Sequence, residues 1–144
     1  MTLDQLNNLV RIGQLKLEPR DQHECAGLLR SAIIRIRDTK QAVLSVESRF
    51  DLAYNAAHSA ALCALRYSGY RSENRYIVFQ SLEHTLGFEP AQWLLFDLAH
   101  KKRNLSEYEG ELDVTESFVH ELIESVEHLI AQVIALDAQW MQTS

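Results

Sequence analysis

The segment from Phe118 to Trp140, FVHELIESVEHLIAQVIALDAQW, decides the fold class because its apolar residues recur at alternating steps of four and three. The recurring positions are Phe118, Leu122, Val126, Leu129, Val133, Leu136 and Trp140. Apolar residues at this spacing predict one long helix that buries a single face in a bundle. Asp113, with Glu116 three residues later, is the predicted N-terminal cap of this helix.

Five further helices are predicted upstream from periodicity, cap residues and the positions of Gly and Pro. The first opens with a capping box of Thr2 and Gln5 and ends before Gly13. The others are predicted from Pro19 to about Lys40, from Ser45 to Gly69, from Ser72 to Gly87, and from Pro90 through Arg103. The apolar residues on which these helices are predicted are Cys25, Leu29, Ala32, Ile36, Phe50, Ala53, Ala57, Ala60, Ala61, Ala64, Ile77, Phe79, Leu82, Leu86, Trp93, Leu94, Leu95 and Leu98.

The fold class follows from the absence of any strand pattern in the sequence. No segment alternates apolar and polar residues with enrichment in β-branched types, so no sheet is predicted. The fold class is therefore all-α: an up-and-down bundle of four long helices with one or two additional short helices. A chain of 144 residues with 47% hydrophobic content has the size of one domain, so residues 1–144 are predicted to form a single helical domain.

The N-terminus and the two cysteines bear on where the protein works. The chain does not begin with a basic stretch followed by an apolar run, and no segment approaches the roughly 20 apolar residues that span a bilayer. A cytoplasmic protein without a membrane segment is therefore predicted. Cys25 and Cys63 each lie beside Ala or Leu in a helical pattern, which favours reduced thiols in the core over a disulfide or a metal pair.

The charge balance limits how the protein can meet nucleic acid. The net charge of −6 arises from 20 acidic against 14 basic residues, and it opposes tight binding to phosphate backbones without sequence preference. Any nucleic-acid contact must then be local. Basic residues group as Arg30, Arg35, Arg37 and Lys40, as Arg66, Arg71 and Arg75, and as Lys101, Lys102 and Arg103. Each group by itself is typical of a solvated face.

The most unusual segment is AHKKRNLSEYEG, residues 99–110, which brings cations, amide and aromatic side chains to one helix end. If the helix continues, His100, Asn104 and Tyr108 lie four residues apart on one stripe that would face a partner or a cleft. A purely structural interpretation stays open. In it Arg103 pairs with Glu107 and the lysines complement the negative helix end.

Other polar residues give weaker signals. Asn55 and His58 interrupt the alanine-rich third helix at one-turn spacing. Either both residues line a cleft, or His58 is a core histidine that finds its hydrogen-bond partners inside the protein. A second set shares one face of the last helix and is typical of solvated surface, although metal ligation is conceivable: His120, Glu124 and His128. No Gly-rich phosphate loop, GxSxG or HExxH motif occurs, and neither a metal nor a cofactor is predicted.

The run SRFDLAYNAAHSAALCALRYSGYRSENRYIVFQSLEHTLG from Ser48 to Gly87, followed by KKRNLSEYEG, resembles bacterial HEPN-domain proteins. The resemblance covers most of the chain. It implies a helical bundle, dimerisation, and a motif of Arg, a polar residue, a few more residues and then His, at a cleft between two copies. Active members of that family cleave RNA without a metal.

Two positions of this motif are matched and one departs from it. Arg103 and Asn104 match its start, and Tyr108 occupies the position of the expected His. The resemblance implies that Arg103 steadies phosphate charge and that Asn104 orients a phosphate or sugar oxygen. An unperturbed phenol titrates near pH ~10, so Tyr108 is a poor base but still donates a proton or a hydrogen bond. The predicted substrate-binding residues are His100, Lys102, Asn55 and His58.

The leading hypothesis is a HEPN-like protein that binds RNA or nucleotide at a dimer cleft. If it is active, it is a metal-independent endoribonuclease of a toxin–antitoxin or defence system. In it Arg103, Asn104 and Tyr108 are the catalytic candidates. The alternative is a non-catalytic helical module that pairs with itself or with a nucleotidyltransferase-type partner. A third interpretation is a structural bundle whose last helix, from Phe118 to Trp140, pairs with the same helix of a second copy of the chain.

Overall fold

A computed structural model describes residues 3–143 and confirms an all-α bundle built on four long helices. The elements are α1 Leu3–Arg11, β1 Lys16–Leu17, α2 Gln22–Asp38, α3 Val46–Tyr67, β2 Tyr70–Arg71, α4 Arg75–Gln80, α5 Leu82–Thr85, α6 Pro90–Glu109 and α7 Glu116–Thr143. Short helices α1, α4 and α5 accompany α2, α3, α6 and α7, where one or two were predicted. None of the helices in residues 3–143 combines the length and apolarity needed to cross a membrane.

The extra short helix arises because the predicted fourth helix breaks at Ser81. The hydroxyl of Ser81 donates to the carbonyl of Ile77 at 2.7 Å, and α5 begins at the next residue. Serine side chains that bond back to the preceding turn compete with the helical backbone and favour such bends.

Three helices begin two or three residues later than predicted. The cap residues are Asp21 for α2, Asn74 for α4 and Thr115 for α7. The sequence predicted Pro19 as the first residue of α2, and Ser72 and Asp113 as the caps of α4 and α7. Each cap oxygen accepts a backbone N–H of the first turn, at 2.9 Å for Asp21, 3.2 Å for Asn74 and 3.0 Å for Thr115. The predicted starts of α3 near Ser45 and of α6 at Pro90 are confirmed, with Ser45 and Glu89 as the cap residues, and Thr2 lies outside the described residues.

Helix α3 forms the centre of the core, between α2 and α7. Its predicted inward positions are all buried: Phe50, Ala53, Ala57, Ala60, Ala61 and Ala64. Small side chains let the backbones of the two flanking helices approach closely. The α7 positions Leu122, Val126, Leu129 and Val133 are also buried within the chain. Because these side chains are not available to a second copy, the predicted pairing of this helix with its own copy is wrong.

The two cysteines meet across the contact of α2 and α3. Both are fully buried and free, as expected for core thiols. The thiol of Cys63 donates to the backbone carbonyl of Cys25 at 3.3 Å. The hydrogen bond to Cys25, followed by burial, raises the pKa of the Cys63 thiol, which keeps it protonated.

A short antiparallel ladder, absent from the prediction, joins the two loops beside α2 and α3. It pairs Lys16 with Arg71 and Leu17 with Tyr70, and the N–H of Glu18 donates to the carbonyl of Gly69 at 3.0 Å. Two residues per strand are too few to produce an alternating pattern in the sequence. The ladder brings the chain before α2 onto the end of α3.

This junction holds a buried charge, Arg66, for which the sequence predicted a solvated position. Its side chain is 1% exposed and donates to Glu24 at 2.6 Å, to the Pro19 carbonyl at 2.7 Å and to the Glu18 carbonyl at 3.0 Å. Arg71 donates to Glu18 at 2.7 Å and also bonds Glu24. Burial raises the pKa of Glu24, but hydrogen bonds from both arginines outweigh that effect and lower it.

Candidate functional site

A second polar cluster surrounds the ring of Tyr54, which is fully buried in α3. The imidazole of His100 stacks on this ring with centroids 6.1 Å apart. The guanidinium carbons of Arg75 and Arg103 lie 5.4 Å and 5.2 Å from the ring centroid. We call the following residues the Tyr54 cluster: Tyr54, His58, Arg75, His100, Arg103 and Asn104. Helices α3, α4 and α6 all contribute to it.

The helices place these side chains for local reasons. Tyr54 follows Phe50 by one turn on the buried face of α3, and their rings stack 6.2 Å apart. Arg75 is the first residue of α4, directly after the Asn74 cap. The cluster residues of α6 follow Ala99, the last residue of that helix to be buried. They therefore continue the inward face of α6 past the end of its apolar core.

A chain of hydrogen bonds links the three helices through the hydroxyl of Tyr54. Arg75 Nη1 donates to this hydroxyl oxygen at 2.9 Å. The same hydroxyl lies 2.8 Å from Nδ1 of His100, and Nε2 of His100 lies 3.2 Å from the side-chain amide of Asn104. The chain thus runs from the half-buried Arg75 at the start of α4 to the exposed Asn104 on α6.

The two guanidiniums of the cluster stand apart from carboxylates. Arg75 and Arg103 are half-buried, and within residues 3–143 neither forms an ion pair. By contrast, Arg49 pairs with Glu116 at 2.5 Å, and Arg66 and Arg71 pair with glutamates. The predicted alternative pairing of Arg103 with Glu107 is therefore not formed in the described chain. A pair of half-buried cations held against one aromatic ring is suited to receive an anion.

The two histidines of the cluster are neutral near pH 7. Burial, together with the charge of Arg75 and the neighbouring His100, lowers the pKa of His58 to about 4. Burial also lowers the pKa of His100, with Arg75 and Arg103 acting in the same direction against the carboxylate of Asp97. The positive charge of the cluster consequently comes from the guanidiniums, while the imidazoles contribute hydrogen bonds.

Two of the predicted substrate-binding residues lie outside the cluster. The amide of Asn55 donates to the carbonyl of Asp51 in its own helix at 2.9 Å. The ammonium of Lys102 donates to the carbonyl of Asp113 at 3.2 Å and covers the ring of Phe118, so it fastens the loop between α6 and α7. The angular positions of these two side chains around their helix axes, which the sequence alone did not resolve, direct them to other neighbours.

The other two predicted substrate-binding residues, His58 and His100, lie in the cluster. The ring of His58 packs edge-on against Phe79 with centroids 6.2 Å apart, and the charge of Arg75 contributes to lowering its pKa. His100 touches Tyr54 and Asn104 as described above. Of the predicted catalytic residues, Arg103 and Asn104 are brought together here.

Tyr108, the third predicted catalytic residue, does not reach the cluster within one chain. Its side chain is 91% exposed near the end of α6. Residues four apart on a helix drift by about 40°, so Tyr108 is rotated by about 80° from His100. The predicted stripe of His100, Asn104 and Tyr108 therefore fans outward and only its first two members are in contact.

Sequence reasoning missed three residues near the site. Tyr54 was indistinguishable from core and Arg75 from a solvated basic group. Asp97 lies in the apolar run LLFDLA, yet it is only 1% exposed; one oxygen binds Lys101 at 3.0 Å, and the other has no partner in residues 3–143. A carboxylate inside an apolar run was the available signal, because buried acids need partners.

The polar face of α7 forms contacts of another kind. His120 lies 2.8 Å from the carboxylate of Glu124 on an exposed surface, while the ring of His128 stacks on Phe88 with centroids 5.6 Å apart. In the described part of the chain no three metal-ligating side chains converge.

No protein-family model, curated protein or solved structure matches this chain. Functional conclusions therefore depend on the contacts and charges of the Tyr54 cluster.

Proposed function

We propose that the chain is a HEPN-like protein that binds a phosphate group of RNA or of a nucleotide at the Tyr54 cluster. The observation that carries this proposal is the pair of half-buried guanidiniums, Arg75 and Arg103, without carboxylate partners in residues 3–143. A guanidinium offers two parallel N–H groups that match two phosphate oxygens. Asn104, exposed beside Arg103, adds an amide for a phosphate or sugar oxygen.

The charge distribution supports a local phosphate site. The chain carries a net charge of −6, so long-range attraction to nucleic acid is unfavourable. Few phosphates can be neutralised at a cluster with two guanidiniums, and the salt dependence of RNA binding should therefore be shallow. This distinguishes the proposed site from a basic groove that tracks a backbone.

Binding without cleavage is the mode that the cluster favours. RNA cleavage by attack of a 2′-hydroxyl needs a group that moves protons beside the phosphate. Tyr108, at the position of the family's His, is 91% exposed, and the five residues that separate it from Arg103 rotate it by about 140° around α6. Metal-independent ribonuclease activity is a prediction from the resemblance, and incubation of RNA with the protein in chelator tests it. Cleavage that Arg103→Ala abolishes would make the protein an enzyme.

We further propose a homodimer, formed along an apolar stripe on the outer face of α6. Leu94, Leu98 and Leu105 are 45%, 44% and 52% exposed. With Lys101 and Tyr108 they follow the alternating four-and-three spacing of a helix that pairs with its own copy. Lys101 in the middle has its charge compensated by Asp97 at 3.0 Å.

Two further proposals rest on the resemblance alone: a nucleotidyltransferase-type partner, and a role in a toxin–antitoxin or defence system. A cytoplasmic location is proposed from the sequence pattern. Co-expression with the proteins encoded beside this one tests the partner, since a true partner would co-purify and change any toxicity.

The phosphate site is tested by fluorescence anisotropy with a labelled single-stranded RNA oligonucleotide. Arg103→Ala and Arg75→Ala should each weaken binding by about 10- to 100-fold, because a hydrogen-bonded charge is removed. Arg37→Ala is the matched control, since Arg37 is an exposed arginine on α2. Competition by a free nucleoside monophosphate shows whether nucleotides share the site. Unchanged affinity in Arg103→Ala and Arg75→Ala would refute the proposal.

A further inference from the structure

We infer that Tyr54 is a positioning residue that holds His100 as a neutral imidazole with its proton on Nε2, so that His100 donates a hydrogen bond to the bound phosphate. This inference rests on the proposed function for its ligand. It makes His100 a phosphate ligand and denies it the role of a general base. It also gives Tyr54, 0% exposed, a task in binding that it performs through another residue.

The direction of the hydrogen bonds follows from what each group can donate. The guanidinium of Arg75 has only donors, so the Tyr54 oxygen must accept at their 2.9 Å contact. The hydroxyl proton of Tyr54 is then left for Nδ1 of His100, 2.8 Å away. If Nδ1 carried a proton instead, the buried hydroxyl proton would have no acceptor among the described residues, which is costly.

The donor on Nε2 follows from this arrangement. A neutral imidazole has one N–H, and with Nδ1 accepting, that N–H is on Nε2. Nε2 faces the exposed amide of Asn104 at 3.2 Å, and a half-turn of this amide presents its oxygen as the acceptor. An entering phosphate oxygen can replace the amide oxygen at the same N–H. The Asn104 amide group is then released to the ligand beside Arg103.

Burial is the largest effect that favours the neutral ring of His100, and the surrounding charges act in both directions. Arg75 from α4 and Arg103 and Lys101 from α6 disfavour an imidazolium, and Asp97 from α6 opposes them. From α3, His58 is itself neutral and Tyr54 supplies the hydroxyl donor. Arg75 also polarises that hydroxyl, which strengthens its bond to Nδ1. With burial as its largest cause, the net shift lowers the pKa of His100.

The test combines the tautomer of His100 with the pH dependence of binding. In the wild-type protein, long-range proton–nitrogen NMR spectra should show the proton on Nε2, and affinity for the RNA oligonucleotide should be flat from about pH 6 to about pH 8. Tyr54→Phe removes the donor to Nδ1 and should raise the pKa of His100. Its RNA affinity should then rise by about threefold to tenfold as the pH falls over that range, because a charged donor binds phosphate more strongly.

Tyr76→Phe is the control, since Tyr76 lies on α4 against Trp93 with centroids 5.6 Å apart and away from His100. It should keep the wild-type pH profile. A wild-type spectrum with the proton on Nδ1 would overturn the inference, as would a Tyr54→Phe variant, folded by its NMR spectrum, with an unchanged tautomer and profile. Failure of wild type to bind RNA would refute the proposed function, whereas the tautomer measurement would still decide the role of Tyr54.

Discussion

His58 shows how the fold constrains the protonation of a single residue. It packs edge-on against Phe79, and the charges of Arg75 and His100 act on its imidazole. Burial and these neighbours lower its pKa from the usual 6.5 to about 4. The folded state therefore binds its proton less readily than the unfolded chain does. His100 acts in the same direction, because its pKa is lowered as well.

This difference makes the protein sensitive to acid. Between about pH 6.5 and about pH 4 the unfolded chain binds more protons, so the free energy of unfolding falls as the pH falls. For His58 the loss is on the order of 3 kcal/mol over this window, and it is absent above it. His58→Gln should reduce the loss between about pH 7 and about pH 4.5, measured by urea unfolding.

His23→Gln provides the comparison, because His23 is exposed at the start of α2. It should leave the acid sensitivity of the wild type intact. An equal dependence on pH in His58→Gln and wild type would show that His58 does not carry this effect.

At the scale of the elements, a buried ionic junction ties α2 to α3. Arg66 near the end of α3 is satisfied by Glu24 of α2 and by carbonyls of the segment that leads into it. The ladder of β1 and β2 holds that segment in place and brings Arg71 to the same glutamates. A buried charge contributes to a fold mainly by requiring these partners, since its removal leaves the opposite charges unpaired.

Replacing Arg66 should therefore be strongly destabilising. Arg66→Met removes the centre of the junction and should lower the free energy of unfolding by about 3–5 kcal/mol. Arg37→Met, an exposed site on α2, should change it by less than about 0.5 kcal/mol. Urea denaturation followed by circular dichroism gives both values. A loss for Arg66→Met as small as that of the control would mean that the junction contributes little to stability.

At the scale of the whole molecule, α6 presents two opposite faces with different roles. Its inner face carries Arg103 in the Tyr54 cluster, and its outer face carries the exposed leucine stripe. Nine residues separate Leu94 from Arg103, which is a rotation of about 180° around the helix. Pairing along the stripe would thus leave Arg103 outside the interface, so the dimer cleft predicted from the resemblance and the proposed dimer are distinct arrangements.

The two arrangements predict different effects on RNA binding when a charged residue is introduced into the leucine stripe. Leu98→Glu should convert the dimer to a monomer in sedimentation velocity, because an unpaired carboxylate would be buried in the interface. RNA affinity per chain should stay within about twofold of wild type, since the site is complete in each copy.

Val43→Glu is the matched control, as Val43 is 92% exposed in the loop before α3. It should leave the sedimentation unchanged. A wild-type protein that is monomeric at micromolar concentration would refute the stripe as an interface. A loss of RNA binding together with the dimer would instead favour a site shared between two copies.

Local pattern was sufficient for the helices and much of the core. The period of the apolar residues determined the long helices, because each helix must bury one face wherever its partners lie. Ser45 and Pro90 marked starts correctly, since their signals are short-range. Helix starts near Asp21 and Asn74 were misplaced by two or three residues because neighbouring residues offered competing caps.

Tertiary structure alone decided which polar residues meet. Tyr54 and His100 are 46 positions apart, and Tyr54 and Arg75 are 21 apart, so no local spacing reports their contacts. It also separated two arginines of one sequence group, burying Arg66 among acids while leaving Arg75 without a carboxylate in the described chain. A periodic pattern specifies which face of a helix turns inward, whereas charge pairing and proton positions depend on what the packed neighbours place opposite.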